Sequence, residues 1–290
     1  MAWLQLARIA LAPTILWDFF VGMSLAGLPW DGEAILALVA LLSIYHAGMI
    51  LNDWRDREVD LEAGRARPLV DGRITPSSAL AAVGFLFVLA FGLTFQIGFH
   101  LVYPTLCLIA IVSLYDLSSG TLRRSLGPAL LAAARALSLG FAVFAVYGME
   151  HGLGVLGYGT LGSYALYFLF VSRLAQREEI GIAGMNGMAF LMMAAFTPVT
   201  LFYGSEPHWW FIPAWALFVL HLLRPVWPIR HEVWGPHQVS MLVRHGLGSA
   251  PMILGLSLIA TGEHLLALLG LGSVLVSQSV RLLARRWAPE

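Results

Sequence analysis

Ten apolar stretches, at about 5–28, 33–52, 77–97, 99–115, 127–148, 153–175, 185–203, 208–225, 238–260 and 263–283, occupy most of this 290-residue chain. Each approaches the ~20 residues that an α-helix needs to cross a ~30 Å hydrocarbon core. In lipid the backbone N–H and C=O groups find no water, so a span must satisfy them within itself, as a helix does. The stretches lack the two-residue alternation of a barrel strand. The first lacks a short apolar region followed by a small-residue cleavage site, so it reads as a span and not as a signal peptide. The expectation is an all-α polytopic transmembrane bundle, a single domain over residues 1–290 embedded in the lipid bilayer.

The charges orient that bundle. Only 12% of residues are charged, against roughly 25% in a soluble domain. The 17 basic residues are all arginine and are balanced by 17 acidic ones. This excludes a soluble or disordered chain and leaves no net charge to carry a nucleic-acid binder, so no nucleic-acid partner is expected. The single Cys107 excludes a disulfide framework and a cysteine-built zinc site. Arginines fall in alternate connections: Arg55 to Arg73, Arg123 and Arg124, Arg173 and Arg177, Arg224 and Arg230, then Arg281 to Arg286. The other connections carry Asp31, Glu33, Glu150, Glu206 and Glu263. By the positive-inside rule both termini are cytoplasmic and the span count is even. The cytoplasmic membrane of a bacterium is the expected location.

Four charged residues do not fit as loop residues and fall within or just inside the apolar stretches: Arg8, Asp18, Arg135 and Arg244. Such groups are costly in lipid and face a bundle interior or a wet cavity. Asp18 and Arg135 lie deep and read as functional. Arg8 and Arg244 fit equally as helix-end arginines that snorkel to the interface.

The chemistry concentrates after the second stretch, in Asn52-Asp53-Trp54-Arg55-Asp56-Arg57-Glu58-Val59-Asp60. On a helix, Asn52, Asp53, Asp56 and Asp60 share one face, while Arg55 and Arg57 point elsewhere. Clustered carboxylates repel unless a cation neutralises them. An oxygen-only set suits Mg²⁺, which takes one or two carboxylates together with substrate phosphates. Arg65, Arg67 and Arg73 follow, among the turn residues Pro68, Gly72 and Pro76. Their planar forks match phosphate oxygens. A merely solvated charged loop is the bland alternative. The four-residue carboxylate spacing and the adjacent arginines instead favour a metal site for a lipid diphosphate.

The run N-D-x-x-D-x-x-x-D followed by R-x-R-P-L-x-x-G-R resembles the first aspartate motif of the UbiA superfamily of intramembrane prenyltransferases. The resemblance implies a bundle of about nine to ten spans around a central cavity that opens to the cytoplasmic side. It implies transfer of an isoprenyl group from a prenyl diphosphate donor to an aromatic or other hydrophobic acceptor, with Mg²⁺. Asn52, Asp53, Asp56 and Asp60 would then hold Mg²⁺ and diphosphate, with Arg65 and Arg67 on the diphosphate. Of these, Asp53, Asp56 and Asp60 would be catalytic.

The rest of the chain departs from the family pattern. The second motif, usually D-x-x-x-D, falls at Ser172 to Gly181, where Ser172 and Gln176 replace the aspartates. Glu178 and Glu179 remain as metal ligands, and Arg173 and Arg177 as phosphate contacts. Tyr115 keeps the family's tyrosine after the fourth stretch, but with no lysine in the chain Arg123 or Arg124 stands in for the usual partner. Arg135 joins these as a substrate contact. Arg8, Asp18, Gly22, Tyr115-Asp116, Leu126-Gly127-Pro128 and Ser172-Arg173 resemble the EboC-type members.

The chemistry implied is ionisation of an allylic C–O bond, with metal and arginines on the leaving diphosphate and aromatic faces around the carbocation. Two other readings stand beside it. One is a terpene cyclase, in which the cation is captured within its own molecule. The other is a non-catalytic prenyl-lipid binding or transport protein with a degraded second motif. A CDP-alcohol transferase is disfavoured because D-G-x-x-A-R is absent. His46 reads as a packed, hydrogen-bonded histidine; Met185, Met188, Met192 and Met193 read as core filler.

Overall fold

The structure is a computed structural model that describes residues 1–27, 30–118, 120–147, 155–202, 207–263 and 266–268. The chain packs as two compact units. Among the described residues, six helices are long and apolar enough to cross a membrane.

The first unit holds residues 1–118 and the later half of one long helix, from Leu137. It begins with α1 (Ala2–Leu6) and a 3-10 turn at Ile9–Leu11, followed by α2 (Ala12–Leu25). The stretch expected as one span at 5–28 is therefore broken. Pro13 is the reason: it has no N–H and its ring would collide with a carbonyl one turn earlier, so it sits in the first turn of a new helix. At the break Arg8 adopts φ 49°, the only left-handed non-glycine residue described.

The long helix α3 (Gly32–Arg55) starts at Asp31, whose carboxylate accepts from the Ala34 N–H at 2.9 Å. It ends before Asp56, which joins it to the short α4 (Arg57–Glu62). The helical segment on which Asn52, Asp53, Asp56 and Asp60 were read as one face is thus interrupted at Asp56. The Asp56 N–H still donates to the Asn52 carbonyl and the Asp60 N–H to the Asp56 carbonyl, so the four-residue register survives. Next come α5 (Pro76–Ile97), capped by Thr75, and α6 (Phe99–Leu117). Helix α3 packs most extensively on α5 and also meets α6. One buried cluster joins Leu6 of α1, Ala47, Ile50 and Leu51 of α3, Leu69 and Ile74 of the connection, and Ala79 and Val83 of α5. This apolar wedge seats the polar connection on the helix ends.

Helix α7 (Gly120–Tyr147) starts earlier than the stretch expected at 127–148, so Arg123 and Arg124 lie on its first turns and not in a loop. Its first half belongs to the second unit. That unit adds α8 (Val155–Ala175), a strand β1 (Ile182–Ala183), α9 (Gly184–Phe196) with a 3-10 extension through Phe202, and α10 (Phe211–Leu223). A second strand, β2 (Val233–Trp234), and α11 (Pro236–Ala260) follow. The antiparallel pair Ile182 with Trp234 and Ala183 with Val233 ties two connections together. Helix α10 has 13 residues, about 20 Å at 1.5 Å per residue, short of the hydrocarbon thickness. Met185, Met192 and Met193 are exposed on α9, so they line its outer face and do not fill core gaps. The tenth stretch, 263–283, lies almost wholly outside the described residues.

Candidate active site

The carboxylates at the end of α3 and in α4 are paired with arginines from three directions. Asp53 is 2% exposed, and Arg8 donates through Nη2 to its Oδ1. Arg67 bridges two carboxylates, with Nη1 at 3.9 Å from Asp53 Oδ2 and Nε at 3.7 Å from Asp60 Oδ2. Asp60 is 3% exposed and receives Arg65 Nη1 at 2.8 Å. Asn52 Nδ2 donates to Asp116 Oδ1 of α6 at 3.1 Å, which leaves the Asn52 amide oxygen as its remaining acceptor. Asp56 is half-buried beside them. Arg55 is exposed, and Arg57 pairs with Glu58, at 3.9 Å.

The repulsion foreseen among the aspartates is thus met by Arg8, Arg65 and Arg67. Paired charges of this kind are favourable when buried only if hydrogen bonds satisfy them. Among the described residues Asp53 Oδ2 is a buried carboxylate oxygen of this cluster that makes no hydrogen bond. A carboxylate oxygen kept from water without a donor is costly unless a cation meets it.

That atom tests the fit of Mg²⁺. Among the described residues, no three His, Cys, Asp or Glu side chains converge as a ready-made metal cage. Mg²⁺ needs fewer, because phosphate oxygens and waters complete its octahedron. The donor set here, Asp53 Oδ2 with Asp60, Asp56 and the Asn52 amide oxygen nearby in the chain, is hard and all-oxygen. The residues fit the ion.

His46 is packed and hydrogen-bonded, as its sequence context suggested: Nδ1 donates to the Ala7 carbonyl at 2.8 Å. This fixes the chain next to Arg8. Arg8 is the residue whose role the sequence left open, and its ion pair decides the matter. Pro13, which forbids a continuous helix, was the available signal. Asp116 was also missed as a site neighbour; an ionisable residue near the end of an apolar helix was its signal. Tyr115, beside it, is half-buried.

The second connection, in the other unit, is organised differently. Arg173, Arg177 and Glu179 are exposed and Glu178 is half-buried. Ser172 is buried, and its Oγ makes no hydrogen bond. Gln176 donates to the main-chain carbonyl of Arg124 at the start of α7. Gly181, with φ 74°, turns the chain into β1. Arg177 lines a 440 Å³ cavity with Gly181, Ile182, Asn186, Phe190 and Met193. Arg123 is half-buried on α7. Arg135 lies deeper on α7, donating to the Tyr164 hydroxyl at 2.9 Å with its guanidinium 4.7 Å from the centre of the Phe168 ring. Such stacking holds a cation in a weakly polar setting. Arg244 is exposed on α11, and Asp18 is fully buried on α2.

A model of the UbiA prenyltransferase family matches residues 13–233. A 4-hydroxybenzoate octaprenyltransferase of Colwellia psychrerythraea is 30% identical over 106 residues, 35% of this chain and 37% of that one. One from Hydrogenovibrio crunogenus is 28% identical over 198 residues, 66% of this chain and 68% of that one. The chain therefore spans well under two thirds of the Colwellia relative and slightly more than two thirds of the other. Among solved structures, a UbiA homologue from Archaeoglobus fulgidus bound to DMAPP and Mg²⁺ matches with a TM-score of 0.60 at 16% identity, over 90% of this chain and 99% of that one. A digeranylgeranylglyceryl phosphate synthase matches with a TM-score of 0.64 at 15% identity, over 89% of this chain and 97% of that one. At such identities the likeness is one of fold.

Proposed function

Because the chain belongs to the UbiA prenyltransferase family, we propose that it is an integral membrane enzyme that transfers an isoprenyl group from a prenyl diphosphate to an aromatic or other lipophilic acceptor, with Mg²⁺ as cofactor. The observation that carries this reading is Asp53: a buried carboxylate with one oxygen free of hydrogen bonds, paired with two arginines, Arg8 and Arg67. The relatives that act on 4-hydroxybenzoate and the homologue bound to DMAPP and Mg²⁺ agree with it.

In this reading Asn52, Asp53, Asp56 and Asp60 hold Mg²⁺, with Glu178 and Glu179 as the weaker second set. Bound there, the ion would neutralise charge developing on the departing diphosphate. Arg65 and Arg67 turn from Asp60 to phosphate oxygens as donor arrives, and Tyr115, Arg123, Arg173 and Arg177 add contacts. Arg135, stacked on Phe168, supplies fixed positive charge within the apolar layer. Aromatic ring faces of the bundle would shield the carbocation from water and stabilise it. The protein acts as one domain in the cytoplasmic membrane, site and termini on the cytoplasmic side. The EboC-type branch is the finer placement that its altered second motif favours.

That motif also favours a second reading, a non-catalytic prenyl-lipid binder, since Gln176 is engaged with a backbone carbonyl and Ser172 bears no charge. Diphosphate release decides between them. The purified full chain, given Mg²⁺, 4-hydroxybenzoate and prenyl diphosphates of several lengths, should release diphosphate, and a chelator should stop it. No release with any donor overturns the enzyme reading. Release without acceptor, together with a cyclised hydrocarbon product, replaces the transferase by a cyclase.

A further inference from the structure

We infer that Arg8 is an exchangeable counter-ion of Asp53: it neutralises that carboxylate in the metal-free chain and is left facing the diphosphate once a divalent cation takes the carboxylate. This rests on the reading of residues 52–60 as the metal and diphosphate site.

Three observations place Arg8 for this. Its guanidinium pairs with Asp53 through Oδ1 only, while Oδ2 of the same carboxylate is buried and makes no hydrogen bond. Arg67 Nη1 lies 3.9 Å from that second oxygen, beyond hydrogen-bond reach, so a cation that moves Arg67 aside can take Oδ2 while Oδ1 is still held. The arginine is also tethered on its N-terminal side. Leu6 is fully buried in the cluster with α3 and α5, and His46 Nδ1 donates to the Ala7 carbonyl at 2.8 Å. Displaced from Asp53, the side chain swings but its Cα stays, so the charge remains at the site. Finally, Arg8 holds φ 49°. A non-glycine residue in that region persists only when its surroundings impose it, and such residues gather at functional sites.

The electrostatics give the inference a sign. A guanidinium beside Asp53 repels an incoming Mg²⁺ and attracts an incoming diphosphate. A residue that only braces the N-terminal segment would change both affinities in one direction, by loosening the site. An exchangeable counter-ion changes them in opposite directions. No covalent step is involved.

The test uses the full chain in lipid nanodiscs. Mn²⁺ binding is read by electron paramagnetic resonance without donor, and inorganic pyrophosphate binding is read by calorimetry in saturating Mn²⁺. Arg8→Gln should bind Mn²⁺ about fivefold more tightly and pyrophosphate about tenfold more weakly. Arg8→Lys keeps the charge but loses the planar fork. It should leave Mn²⁺ affinity near that of the native chain and weaken pyrophosphate only part of the way; it also serves if Arg8→Gln does not fold. His46→Phe, which removes the tether and keeps a ring, should move both affinities in the directions of Arg8→Gln by a smaller factor. Unchanged or weaker Mn²⁺ binding in Arg8→Gln, or in Arg8→Lys a loss of both affinities together, overturns the inference. If the native chain binds neither probe, the metal and diphosphate reading of residues 52–60 fails instead.

Discussion

The connection after α3 and the connection after α8 occupy matching places in the charge pattern, yet their chemistry is arranged in opposite ways. In the first, Asp53 and Asp60 are buried and every close partner is an arginine. In the second, Arg173, Arg177 and Glu179 face outward, and Gln176 spends its side chain on a backbone carbonyl. Order in the second comes from the β1–β2 pair and from Trp234, which is fully buried against α9. The first connection concentrates electrostatic free energy in side chains; the second is held by backbone and packing. A desolvated charge interacts far more strongly than a solvated one. On the proposed function, the difference puts tight ligand binding at the first connection and a supporting role at the second.

The comparison breaks most readily at Asp53. Asp53→Asn should reduce diphosphate release about 1,000-fold, while Glu179→Gln should change it by less than about threefold. Equal losses in a release assay would erase the distinction between the two connections. The packing of the second comes next. A Cβ added at Gly187 would lie 2.1 Å from the Trp234 ring, so Gly187→Ala should cost about 2 kcal/mol in a reversible unfolding measurement. A neutral result would mean that Trp234 does not clamp the connection. Gln176→Glu, which cannot donate to the Arg124 carbonyl, should cost about 1 kcal/mol in the same measurement and leave Mn²⁺ affinity unchanged. Tighter Mn²⁺ binding would reveal a second metal site there. The smallest effect belongs to Arg65, whose side chain is 58% exposed. Arg65→Gln should alter stability by less than about 1 kcal/mol and register mainly as weaker pyrophosphate binding. A large stability loss would make Arg65 a structural residue.

Much of this was legible in the residue order. Asp53, Asp56, Asp60, Arg65 and Arg67 are local in sequence, and their spacing alone brought them to one region. The helix break at Arg8 was concealed by unbroken hydropathy, although Pro13 marked it. Arg65 and Arg67 were read as phosphate contacts, whereas the structure pairs them with the aspartates; the same guanidinium serves either acidic oxygen. Nothing near Gly184 or Gly187 announced Trp234, because their partner is remote in the chain.

What the sequence determined by itself is the membrane setting and the apolar helices, since burial in lipid constrains each apolar stretch on its own. It also determined the composition of the first aspartate cluster, since a helical repeat is a local property. Only the tertiary structure decided which cation meets which carboxylate. Arg8 reaches Asp53 because α1 packs on α3 and His46 holds Ala7, and Asn52 meets Asp116 because α3 lies on α6. Those contacts depend on packing between segments distant in the chain, and no local pattern encodes them.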